Sequence, residues 1–466
     1  VMMRVRLKYL GIALLAFTFA ASVWATNGYF SHGTSIAEKG MAGAGVAYSQ
    51  DTLAAANNPA GMVWQGARYD VGGALFRPMR DYTATGGPTN FCAGPTGPCT
   101  FSVGDGDQSI DSENELFLIP QFGYNWVLNN ESTIGVSVFG NGGLNTEYKD
   151  GVATLFNPPP PFGSGPAPFG AFQEFDGTYG DGTAGVDLAQ LFISTTYSAK
   201  INETTSWGVS GIIAYQRFEA KGLANFTPFS TDPGNLTNND HDSATGIGIR
   251  LGIQTEISPG IRFGAAYQPE IDMGEFDDYA GLFAEEGDFN IPSNLTVGLA
   301  IDVKDHGVLV VDIQQINYED VPAVSNPIAP LVDGSCAAGM GAGGSGVGDG
   351  CLGGDDGAGF GWDDITVVKI GYQWQDGDMT WRVGYSTGDQ PIPSSEVTFN
   401  ILAPGVIEKH LTFGFTRQLD AKSSINFAAM YAPSNSVDGA NTFDPAQEIE
   451  LEMDQYELAF TYNRSL

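Results

Sequence analysis

From Tyr69 onward the chain keeps returning to segments in which apolar side chains alternate with small or polar ones. That is the period of a strand whose two faces meet different surroundings. Fourteen such segments are predicted, over 67–77, 114–127, 132–144, 187–200, 205–219, 244–257, 261–274, 291–304, 308–318, 364–375, 379–387, 407–418, 423–433 and 447–463. Their connections alternate in length. Short turns at 128–131, 201–204, 258–260, 305–307, 376–378 and 420–422 are separated by long stretches such as 78–113, 145–186, 220–243, 319–363, 388–406 and 434–446. A soluble sandwich has no reason to sort loop length by end, whereas a bacterial outer-membrane barrel has short turns at one rim, long loops at the other and an even strand number. The expected fold class is therefore all-β, a 14-stranded antiparallel transmembrane β-barrel.

Parity along the strands divides two environments. In the strand beginning at Gly246, Ile247, Ile249, Leu251, Ile253 and Ile257 share one face, and Arg250, Gln254 and Glu256 the other. One face then meets hydrocarbon, where Lys or Arg costs about 2–4 kcal/mol at mid-depth, and the other a wet lumen. The same division sets Arg262 and Gln268 against Phe263 and Tyr267, Lys369 and Gln373 against Ile370, Tyr372 and Trp374, and Arg382 against Trp381, Val383 and Tyr385. Tyr124, Trp126, Trp207, Trp374, Trp381 and Tyr462 fall near the short turns, where an interfacial aromatic girdle belongs.

The inward face is not uniformly polar. By parity Phe76, Phe117, Ile119, Phe139, Phe192, Ile212, Phe218, Val308, Val310 and Met430 point into the lumen with the basic residues. A water-filled porin needs none of them. An apolar ligand gains about 0.8 kcal/mol per buried CH2 in such a lining, and a neighbouring cation can hold a carboxylate. The ligand-binding set expected on this basis is Phe30, Phe76, Phe117, Phe139, Phe192 and Phe218 with Arg250, Arg262, Lys369 and Arg382. An equal account has the aromatics pack against an internal plug.

Composition narrows the classes. Arg4, Arg6 and Lys8 precede an apolar run from Leu10 to Ala21 and then Val23-Trp24-Ala25, which reads as a signal peptide (1–25) cleaved after Ala25. No later stretch has 18 consecutive apolar residues, so helical spans are not expected. A net charge of −34 argues against nucleic acid as a partner. Acids such as Asp355-Asp356 and Asp363-Asp364 gather in long loops, as a solvated surface or as divalent-cation bridges to lipid phosphates. Cys92 and Cys99, and Cys336 and Cys351, form two close pairs in a chain bound for an oxidising compartment. Two loop disulfides are expected rather than a zinc site, since neither spacing matches a usual ligand pattern. The four histidines, His32, His241, His306 and His410, join no Gly-x-Ser-x-Gly or His-Glu-x-x-His arrangement, so no enzyme, cofactor or metal site is expected.

Residues 26–66 do not alternate; they are rich in Gly, Ala and Ser and are best placed in the lumen as a plug, leaving 67–466 as the barrel with its loops. The run Ser35-Ile36-Ala37-Glu38-Lys39-Gly40-Met41-Ala42-Gly43-Ala44-Gly45 and then Asn58-Pro59-Ala60-Gly61-Met62 resembles the hatch of the FadL/TodX family of outer-membrane transporters for long-chain fatty acids and other hydrophobic compounds. Val186-Asp187-Leu188-Ala189-Gln190-Leu191, Ile291-Pro292-Ser293-Asn294 and Arg382-Val383-Gly384-Tyr385 extend the likeness over essentially the whole mature chain. The resemblance implies a fourteen-stranded barrel closed by a hatch carrying Asn58, Pro59 and Ala60. It implies capture in an external apolar groove, a luminal pocket, and sideways release beside a kinked third strand. Candidates for capture are Phe156, Phe162 and Phe169 in 145–186, and Leu282 and Phe283 in 275–290 with Tyr279 and Phe289; for the kink, Gly140-Asn141-Gly142-Gly143. The chain departs from the pattern in lacking a terminal aromatic, and its luminal cations are assigned from parity alone. The function expected is uptake of hydrophobic molecules, long-chain fatty acids first, by a monomer surrounded by outer-membrane lipid and lipopolysaccharide. Alkanes or aromatic hydrocarbons suit a lumen without a cation, and a surface adhesin or phage receptor is the rival of another class.

Overall fold

The computed structural model describes residues 27–89, 100–157, 171–339 and 344–466. The expected signal peptide with its cleavage site, Cys92, Cys99, Phe162 and Phe169 lie outside them.

Fourteen strands form one closed antiparallel barrel: β1 (Arg68–Gly86), β2 (Phe117–Asn129), β3 (Ser132–Asn145), β4 (Gly185–Lys200), β5 (Thr205–Phe218), β6 (Asp242–Ser258), β7 (Ile261–Gln268), β8 (Asn294–Asp302), β9 (Val308–Ile316), β10 (Ile365–Asp376), β11 (Met379–Gly388), β12 (Lys409–Gln418), β13 (Ser423–Asn441) and β14 (Asp444–Ser465). Each pairs with the next, and β14 closes on β1 from Arg68↔Ser465 to Gly86↔Gln447. Closure satisfies the backbone polar groups without a free sheet edge, which a hydrocarbon environment demands. The six short turns fall where the alternation of loop lengths puts them.

The faces follow residue parity. Ile247, Ile249, Leu251, Ile253, Val383, Phe413, Leu458 and Phe460 are exposed on the outside, while Arg250, Gln254, Lys369 and Arg382 are buried within. Trp126 and Trp207 lie outward near the short turns. Glu256 is the exception to its predicted face: it is exposed beside the bulge between Glu256 and Ser258, where its carboxylate accepts from Gly260 N at 2.8 Å. The outward belt gives a direct test. Ile249→Arg, four residues from the Ile253–Trp207 pair, is expected to destabilise the barrel in lipid by about 2–4 kcal/mol. Denaturant titration in vesicles measures this; a loss under about 0.5 kcal/mol contradicts a membrane-facing belt.

Three boundaries differ from expectation. β1 runs on to Gly86, and β13 and β14 continue through the expected loop 434–446, joined only by Thr442 and Phe443. Just beyond it acids alternate on the exposed face, at Glu448, Glu450 and Glu452, with Ile449 and Leu451 buried between them. The strand period thus persists beyond the apolar belt, where a polar outer face costs nothing. β7 stops at Gln268 instead of 274. The segment 275–290 does not present an exposed apolar surface either: Tyr279, Phe283 and Phe289 are buried, Tyr279 and Phe283 packed on Phe218 and Phe289 on Phe283, because four rings supply their own core. Cys336 and Cys351 are disulfide-bonded, closing a loop of sequence separation 15.

Residues 27–63 are largely buried, and their backbone is held by inward-facing wall side chains. Asp312 accepts from Gly45 N and Val46 N at 2.7 and 2.9 Å, Thr412 Oγ1 accepts from Ala42 N at 2.8 Å, and Asp70 accepts from Thr52 N and Oγ1 at 2.8 and 2.6 Å. Lys39 Nζ meets Glu457 at 2.6 Å, both 4% exposed. Asn58 caps its own turn by accepting from Ala60 N at 3.0 Å and donates to Val46 O and Ile253 O at 2.7 and 3.0 Å. This contact needs glycine on the wall: a Cβ at Gly252 would lie 2.1 Å from Asn58 Oδ1.

Candidate functional site

The seam between β2 and β3 is unpaired over part of its length among the described residues. β2 and β3 are laddered from Phe122↔Val138 down to Asn129↔Ser132, but among the described residues no ladder joins Phe117–Gln121 to Phe139–Asn145. The cause is local. β3 carries a bulge at Asn141, seen as a register shift against β4 between Gly140 and Gly142, and Pro120 has no N–H to offer across the gap. The predicted Gly140-Asn141-Gly142-Gly143 run therefore sits inside the strand, at the bulge. The window spans about five residues, roughly 15 Å at the rise of a strand. Above it Glu113 N bonds Glu147 O at 2.9 Å, so the opening is bounded at both ends.

From within, the window is covered by the start of the described chain. Ser31 N bonds Asn141 O at 3.2 Å and Gly143 N bonds Tyr29 O at 3.0 Å, replacing on the β3 edge the partners that β2 does not supply. The approach leaves no room for a side chain, because a Cβ at Gly142 would stand 2.2 Å from Tyr29 O.

A chain of packed aromatic rings leads to this point from the long-loop end. An apolar pocket is lined by Phe218, Phe226, Leu282, Phe283, Leu352 and Phe399 together with other apolar residues and Gly359, and none of its described lining residues is charged. Phe283 packs on Phe289 with ring centroids at 4.9 Å, and Phe289 on Tyr29 at 6.1 Å. Tyr29 in turn packs on Tyr318 and Trp362, at 5.2 and 6.0 Å. Tyr318 bonds Tyr29 N at 3.1 Å and donates to Asn27 O, so these aromatics and the window cover form one unit.

A second cavity is polar. Arg250 and Lys369 line it with Glu38, Asn57, Asn294 and Gln314, and Phe30 and Phe139 form its apolar side. Arg250 donates to Gln268 Oε1 at 2.6 Å and Lys369 to His32 O at 3.0 Å. Burial first, then Asp51 and Asp312, raise the Glu38 carboxyl well above its usual range, which weakens it as a counter-charge to the two cations.

The predicted ligand set is thus divided. Phe30, Phe139, Arg250 and Lys369 share the polar cavity, Phe192 backs Phe139 at 5.7 Å, Phe218 lines the apolar cavity, and Phe76 lines a third space beside the window. Phe117 sits under the Arg80 guanidinium. Arg382 bonds Gln50, Gln373 and Thr416, and Arg262 pairs with Asp302 over the Tyr48 ring, both apart from these cavities. Of the capture residues, half-buried Phe156 packs on Phe172 at 5.5 Å, whereas Leu282 and Phe283 line the apolar cavity. Tyr29, Arg80, Tyr318 and Trp362 escaped the sequence reading. Arg80 alone carried a signal, a cation continuing the inward parity of Phe76.

No family model matches the chain, and no curated protein matches it in sequence. Solved structures do. The Pseudomonas putida toluene transporter TodX is 18% identical, covering 95% of this chain and 100% of that one, with a TM-score of 0.62. A Pseudomonas aeruginosa FadL homologue is 13% identical over 94% of this chain and 99% of that one, at 0.60. The Ralstonia pickettii toluene transporter TbuX is 16% identical over 93% and 99%, at 0.56. The chain has the FadL/TodX barrel fold. At these identities the likeness is one of architecture, and the chemistry rests on the residues above.

Proposed function

We propose that this chain is an outer-membrane channel for passive uptake of hydrophobic small molecules, with residues 27–66 as its hatch and a cleaved signal peptide before them. The observation that carries the reading is the unpaired window between β2 and β3, joined through Phe283, Phe289 and Tyr29 to an uncharged cavity at the long-loop end. A solute entering that cavity leaves water for an apolar lining, at about 25 cal/mol per Å² buried, and a side exit delivers it into the bilayer without crossing water again. Each molecule has its own window, so a monomer surrounded by lipid and lipopolysaccharide suffices. The similar structures whose names carry toluene transport support the same direction.

Two ligand classes follow from two observations. Arg250 and Lys369 beside Phe30 and Phe139 suit the carboxylate of a long-chain fatty acid. The uncharged lining of the upper cavity favours a neutral alkane or aromatic hydrocarbon. Cells carrying the chain are expected to take up labelled oleate or labelled toluene faster than cells with an empty vector; equal rates for both compounds end the proposal. Within the same assay Phe283→Asp is expected to slow the imported compound at least about tenfold, because an unpaired carboxylate at this buried position of the lining costs well over the 1.4 kcal/mol that tenfold represents. Unaltered import by this variant removes the upper cavity from the route.

A further inference from the structure

The window has a lintel, and it is one side chain. Arg80, on β1 and 4% exposed, donates from one guanidinium nitrogen to Asn145 O and from another to Asn114 O. Asn145 ends β3, and Asn114 lies three residues before β2. The fork therefore ties the upper ends of both jambs. The guanidinium carbon stands 5.9 Å from the centroid of Phe117, the first residue of the unpaired stretch of β2.

Two features make this more than a brace. Its Nε has no hydrogen-bond partner among the described residues. Beside it lies a small pocket lined by Phe76, Pro78, Leu144, Ala403 and Met453, in which Arg80 is the only charged residue among the described lining residues. The nearby carboxylate of Glu115 is engaged by Arg77 at 2.7 Å instead. A buried guanidinium is thus met by two neutral carbonyl dipoles, with one donor left over, beside an apolar pocket that opens on the exit.

We infer that Arg80 distinguishes anionic from neutral ligands at the window by binding a carboxylate headgroup in place of at least one of its two backbone carbonyls. The inference rests on the uptake reading above. A hydrogen bond between ionised partners is about twice as strong as one to a neutral acceptor, and a carboxylate meets the guanidinium fork with two oxygens. A ligand whose tail lies along Phe76, Leu144 and Met453 brings its carboxylate to Nε and one terminal nitrogen. The fork then releases at least one jamb, and the top of the window parts for that ligand. A neutral hydrocarbon leaves the lintel in place.

The purified protein in detergent, titrated with the fluorescent fatty acid cis-parinaric acid and with its methyl ester, tests this. The tails are identical, so the acid-to-ester ratio isolates the headgroup. The wild type is expected to bind the acid at least about tenfold more tightly, and Arg80→Gln to bring the two within about twofold with ester affinity retained. A ratio that survives in Arg80→Gln, equal loss for acid and ester, or equal binding of both by the wild type overturns the inference; survival in Arg80→Gln with loss in Lys369→Gln would move the headgroup to the polar cavity. Should Arg80→Gln not reach the folded, heat-modifiable form, Arg80→Lys replaces it. That variant keeps the charge but has no fork to hold two carbonyls, so it is expected to keep part of the acid preference while importing oleate at a changed rate and toluene at the wild-type rate; wild-type behaviour in both respects counts against the lintel. In cells, a wild type importing neither compound fails the uptake reading itself, whereas oleate import that Arg80→Gln leaves untouched fails only the inference.

Discussion

Deleting Asn141 is expected to lower uptake of hydrophobic solutes by at least about tenfold while leaving a folded barrel. Asn141 is the extra residue of the β3 bulge, and without it Gly140 and Gly142 become consecutive against Leu191 and Gln190 of β4. The β3 edge is then free to continue its ladder with β2 beyond Phe122↔Val138, towards Ile119 and Leu118. Pro120 offers no N–H, so one bond of that ladder stays unmade. The others contribute about 1 kcal/mol each, and two of them displace the open state by more than a factor of ten. Heat-modifiable migration on gels reports the fold and labelled-solute uptake reports the window. Uptake within about twofold of wild type would show that solutes leave by another route.

The second large effect concerns the segment inside the barrel. Glu457→Gln leaves Lys39 as a buried ammonium without its counter-ion, and Lys39→Ala leaves the carboxylate of Glu457 in the same position. Removing one partner of a buried pair costs about 3–5 kcal/mol, far more than the pair itself contributes. The loss falls on docking of residues 27–66 rather than on the strands, since β14 keeps its ladders to β1 and β13. Both single variants are therefore expected to raise ion conductance in planar bilayers and to expose the segment to protease. Replacing both residues with methionine is expected to restore the closed state. If both single variants stay electrically silent and protected, the pair does not hold the segment in place.

Parity along the strands was legible because each strand separates two solvents, and a misplaced cation costs enough to leave a pattern. It placed Arg250, Lys369 and Arg382 inside and Ile247, Ile249 and Leu251 outside. The same pattern was misread where the outer solvent changes to water. At 434–446 the turn-forming residues Ser434, Asn435, Ser436, Asp438 and Gly439 look like a loop although the ladder continues, because water accepts either face. The buried acids Asp70, Asp312 and Glu457 are the sites that anchor the inner segment. Their inward parity was visible, but their partners lie 18 to 418 residues away, and nothing local names them.

What the sequence determined by itself is the set of properties that repeat at short range: fourteen strands, their order, their two faces, the segregation of loop lengths and the Gly-rich run at Gly140–Gly143 that interrupts regular pairing. What only the tertiary structure decided is where those elements come together: that the gap beside β3 is covered by Tyr29 and Ser31, that Arg80 spans its top, and that Phe283, Phe289 and Tyr29 connect a cavity to it. The reason is physical. A strand's faces are set by solvent contact one residue at a time, whereas a window exists only through the backbone bonds that two strands fail to make, and closure of the whole barrel decides which bonds those are.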